Sequence, residues 1–126
     1  IGKDSENINA SNKIRILLSQ LEIDHSVPVG LKNLQEFVDS EMQIKDACDA
    51  VVQIRNAIVH SKEEKRKKLS TIHFRVKYEV LELCIWYIEM ALLGILKYDD
   101  IYYNRTTKEF IKSKGLELVP WSRKKL

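Results

Sequence analysis

Residues 44–60, IKDACDAVVQIRNAIVH, decide how this chain is read. At about 100° per residue, Ala47, Cys48, Val51, Val52, Ile54, Ile58 and Val59 share one broad side of a helix. Lys45, Asp46, Asp49, Gln53 and Asn56 take the other side. One residue breaks the pattern: Arg55 falls near the centre of the apolar side. A guanidinium there has to be paired, or has to open onto a cleft or an interface, because an isolated buried charge is very costly. A structural Arg bound to a buried carboxylate or to helix C-terminal carbonyls, and a functional Arg, both satisfy that requirement. His60 closes the stretch, about 140° from Arg55 around an ideal helix. The two side chains therefore meet in one site only if the helix ends near Val59, or if two copies pack along residues 41–60 and each contributes its pair.

Working outward, the chain of 126 residues fits one domain over residues 1–126 with one core. Only four Gly and two Pro interrupt it, which favours long helices. A first helix is predicted over about residues 9–22, with Ile14, Leu17, Leu18 and Leu21 at helical spacing. The loop 24–30, DHSVPVG, separates it from a shorter helix carrying Leu31, Leu34, Phe37 and Val38. The third helix is expected to start near Ser40 as N-cap and to run to His60. The charged segment 61–70, SKEEKRKKLS, reads as an exposed loop, and Ser70 or Thr71 as the cap of a fourth helix reaching about Leu96. The middle of that helix is apolar nearly all round, as in a central buried element or an interface helix. In the tail, 98–106, YDDIYYNRT, reads as a structured turn. Residues 109–112 and 116–119 are extended candidates for a small hairpin, and Val119-Pro120-Trp121 reads as a pin to the body. The fold expected is all-α: a four-helix bundle with a short irregular or hairpin C-terminal tail.

The net charge of +3 permits contact with a polyanion without demanding it. Cys48 and Cys84 each sit in an apolar helical stretch and read as reduced core residues of a cytoplasmic protein. The most apolar run, 80–96, contains Glu82 and Glu89, which argues against a membrane helix. Neither a metal-ligand spacing of Cys and His nor a Gly-rich phosphate loop is present, so no metal or cofactor is expected. The first residue is Ile rather than Met, from which a piece of a larger protein with further domains is expected.

The run Arg55-Asn56-Ala57-Ile58-Val59-His60 resembles the Arg-x(4–6)-His signature of the HEPN superfamily, with Asn in the favoured position after Arg. Arg66 and His73 also satisfy the spacing, but Arg66 stands in the charged loop and is followed by Lys67. The long apolar helix after a short charged loop, the Tyr103-Asn104-Arg105 turn and the closing Val119-Pro120-Trp121 are most similar to the ApeA-type domains of prokaryotic anti-phage defence proteins. The resemblance implies a HEPN-type bundle and a homodimeric, metal-independent endoribonuclease acting in defence or as a toxin. In it the ribose 2′-OH attacks its own phosphate. Arg55, Asn56 and His60 would be the catalytic set: His60 moving protons near neutral pH, Arg55 holding the phosphorane charge, and Asn56 orienting either. Lys62, Lys65, Arg66, Lys67 and Lys68 would grip RNA phosphates. The alternative from a different class is a non-catalytic helical dimerisation or interaction module.

Overall fold

The computed structural model describes residues 9–59, 67, 70–107 and 115–124. Among them are four helices, α1 (Ala10–Gln20), α2 (Lys32–Ser40), α3 (Ala47–Val59) and α4 (Phe74–Ile95). They are followed by two short strands, β1 (Ile101–Tyr103) and β2 (Leu116–Leu118), and a 3-10 turn at Arg105–Thr107. The architecture is mainly α with a small antiparallel sheet. α2 and α3 pack on α4, and α1 packs on α3. Leu18, Leu34, Cys48, Leu83 and Met90 lie wholly inside.

Local chemistry fixes the helix ends. The Asn9 side chain accepts the Asn12 N–H at 2.8 Å and starts α1, as the spacing predicts. α1 stops where Glu22 takes a positive φ of 58° and the Ile23 N–H reaches back to the Leu18 carbonyl. The start of α3 differs from expectation. Ser40 is the last residue of α2, its hydroxyl donating to the Phe37 carbonyl, and α3 begins seven residues later. The reason is Asp46, whose Oδ1 accepts the Asp49 N–H at 3.0 Å and so caps the new helix. α4 also starts later than expected: His73 Nδ1 accepts the Arg75 N–H at 3.1 Å, in place of a Ser70 or Thr71 cap. The N-terminus of α2 is satisfied from outside, by Glu79 of α4, which accepts the Leu34 N–H at 2.9 Å.

The tail is a hairpin-like sheet with a different partner from the one expected. β2 pairs with β1, Ile101 opposite Leu118 and Tyr103 opposite Leu116; the expected strand 109–112 lies outside the described residues. Arg105 ties the tail to α4 through Glu89 at 2.6 Å, and Trp86 Nε1 donates to the Tyr102 hydroxyl at 3.1 Å. Asn104 is buried, accepting from the Thr106 N–H and hydroxyl and donating to Glu117. Trp121 closes the tail by donating to the Tyr98 carbonyl. Cys48 and Cys84 are free thiols, and burial pushes the Cys48 thiol up to about 11. No helix among the described residues is long and apolar enough to cross a membrane.

Arg15 of α1 is the main polar tie between helices. It meets Asp46 through Nε and NH2 at 2.8 and 2.9 Å, and Asp49 through NH2 at 2.8 Å. Burial pushes both carboxyls up. Hydrogen bonds from Arg15 and from backbone N–H groups, with the Arg15 charge, outweigh it and leave both below the usual 3.8. A carboxylate whose folded pKa is depressed stabilises the fold above its unfolded pKa and loses that contribution as pH falls through the folded value. Arg15→Ala should therefore cost about 2–3 kcal/mol at neutral pH, and should shrink the loss of stability below about pH 4, read by urea unfolding across pH. Gly30 provides a second check. A Cβ there would lie 1.9 Å from the Thr106 carbonyl oxygen, so Gly30→Ala should cost about 1–3 kcal/mol in the same assay.

Candidate functional site

The side of α3 that enters the core is Ala47, Cys48, Ala50, Ile54 and Ala57. The expected inward face is thus rotated: Val51 and Val52 are half-buried, while Ile58 and Val59 are exposed. Small alanines let α3 sit close to its neighbours, and the bulkier aliphatic side is left outward. Arg55 belongs to that outward side and is exposed. Of the two placements expected for its charge, a buried pairing or an opening onto a cleft, the structure shows the second: the guanidinium is not buried, and among the described residues it makes no ion pair. Its NH1 donates to the neighbouring Asn56 Oδ1 at 3.1 Å.

Arg55 stands on the wall of an open, largely apolar groove of about 320 Å³ between α3 and α4. Val51, Ile54, Ile58 and Val59 form one wall, and Lys77, Val80, Leu81 and Cys84 the other. Asn56 is half-buried and borders a different, smaller cavity beside Phe37 and Ile72. The structure therefore brings Arg55 and Asn56 into contact. His60 lies outside the described residues, as do Lys62, Lys65, Arg66 and Lys68, whereas Lys67 is described and exposed. Tyr102 is engaged with Trp86, while Tyr103 lies against Gly115 and stays exposed.

Two further features stand out, the second on the helix read from sequence as a central buried element or an interface helix. The larger is a cavity of about 750 Å³ between α2 and the start of α4, lined by Glu36, Glu41, His73 and Arg75 among others. Its His73 is already spent on capping through Nδ1, and no group of His, Cys, Asp and Glu suited to a metal occurs among the described residues. The second is the outward side of α4, where Phe74, Tyr78, Leu81, Ile88, Leu92 and Ile95 are exposed. These residues stand three and four apart along the helix whose all-round hydropathy fits an interface helix.

A family model for the YopA C-terminal domain matches residues 1–116, which spans all four helices, β1 and the start of β2. The chain belongs to the YopA C-terminal domain family. Its relative, the SPbeta prophage-derived protein YopA of Bacillus subtilis (strain 168), is 35% identical over 114 residues. The match covers 90% of the chain but 24% of the relative, so the chain spans about a quarter of that protein's length. No solved structure matches. These matches overturn the HEPN and ApeA resemblance, because nothing in either points to those families. The six-residue run 55–60 was too short to carry an assignment against a match over 116 residues. In this YopA C-terminal domain the exposed Arg55 has a direct consequence. Arg55→Ala should change stability by less than about 0.5 kcal/mol, measured by urea unfolding, whereas breaking a buried ion pair would cost about 3–5 kcal/mol.

Proposed function

We propose that this domain is a non-catalytic association module that binds a helical partner along the face shared by α3 and α4. The observation that carries this is the open apolar groove beside Ile58, Val59 and Leu81. A groove walled by aliphatic side chains from two helices suits the apolar side of an incoming helix. Large exposed apolar patches on a folded chain mark interaction sites. The relative is several times longer than this chain, which fits a module joined to further domains of a larger protein. The free thiols of Cys48 and Cys84 fit a reducing, cytoplasmic setting.

RNA cleavage by Arg55, Asn56 and His60 is the second reading, now without family support. One observation favours it: the Arg55 guanidinium is open to solvent with a single side-chain partner among the described residues, leaving donors for a phosphate. Two variants separate the readings when the protein is purified from its native gene context. Ile58→Glu, at an exposed position, should preserve the helical circular dichroism and reduce the assembled species in native mass spectrometry. Arg55→Ala with His60→Ala should leave both assembly and any RNA cleavage unchanged. Assembly indifferent to Ile58→Glu counts against the module. Cleavage to 2′,3′-cyclic phosphate ends that disappears in the double variant establishes the enzyme instead.

A further inference from the structure

The outward side of α4 carries apolar residues at alternating steps of three and four along its whole length. Tyr78, Ile85 and Leu92 alternate with Phe74, Leu81, Ile88 and Ile95. That is a 3.5-residue repeat sustained over three heptads, the spacing of a helix that pairs with another helix. The opposite side, with Val80, Leu83, Trp86 and Met90, is already committed to the core. No charged residue interrupts the stripe; Ile85 at its centre is half-buried, and the other members are exposed, Phe74 by 68%, Ile88 by 59% and Ile95 by 76%. The flanking carboxylates Glu82 and Glu89 are turned to Arg105 of the same chain.

We infer that this stripe is the contact with a second copy of the chain, α4 packing antiparallel on α4 about a two-fold axis near Ile85. This rests on the association reading above and names its partner. The stripe is self-complementary: in that register Ile85 meets its counterpart, Leu81 meets Ile88, and the aromatic end at Phe74 and Tyr78 meets the aliphatic end at Ile95 and Leu92. A parallel pair would instead align the two helix dipoles. Together with Ile58 and Val59 of α3, the exposed side chains amount to on the order of 800–1,000 Å² per copy, what a standard interface takes from each partner. Isologous two-fold pairing is the commonest symmetry of soluble oligomers.

Sedimentation velocity of the 126-residue chain tests this directly. The chain should sediment as a dimer at micromolar concentration, and Leu81→Glu with Ile88→Glu should convert it to a monomer with unchanged circular dichroism. Cysteine pairing in a Cys84→Ser background fixes the direction without destabilising charges. Leu81→Cys mixed with Ile88→Cys should give the mixed disulfide in at least severalfold excess over either homodimer. A chain monomeric at about 100 μM, or homodimeric disulfides in excess, overturns the proposal. If the chain is monomeric yet Ile58→Glu still disrupts assembly of the protein from its native context, the second copy is wrong and the association module stands.

Discussion

The long helix α4 is the element on which α2, α3 and the 3-10 turn all close, and its apolar residues run round more than one side. Its inner side collects α2, α3 and the 3-10 turn, and Glu79 supplies the missing acceptor at the start of α2. A helix of 22 residues meets partners of 9 and 13 residues. The outer side is therefore left to solvent or to another molecule. The shape of the domain follows from burial of one face, and the role proposed for it from exposure of the other.

Polar contacts then set registers that burial alone would leave loose. Arg15 holds Asp46, and Asp46 at the same time caps α3, so the angle between α1 and α3 and the first turn of α3 are fixed by one carboxylate. Arg105 plays the corresponding part for the tail on Glu89. Both ties are partly exposed. They orient packed helices whose stability comes mainly from apolar burial.

The four helices were legible because their apolar periodicity is strong, which also placed the start of α1 near Asn9. The starts of α3 and α4 were not, because Asp46 and His73 act as caps through geometry that Ser40 and Ser70 also offered on paper. The partner of β2 was missed because β1 carries its apolar and aromatic residues in a run that reads equally well as a turn. The inward side of α3 was harder to read, for a subtler reason. Hydropathy reports that a helix side is apolar, not which of two apolar sides faces in. Packing chose the alanines, Ala50 and Ala57, over Ile58 and Val59. A local six-residue likeness around Arg55 then outweighed a family signal spread thinly along the chain.

The tail's attachment carries a consequence for the order of events in folding. Gly94 leaves room for Leu21 and Trp121 to meet over α4, and Arg123 reaches Glu22 at 3.7 Å. These contacts join residues separated by about 100 positions, where loop closure is slow to repay its entropy. The helices can collapse on local contacts first, with the clasp of Trp121 over the end of α1 forming last. By the same token the clasp is expected to open before the helical core does.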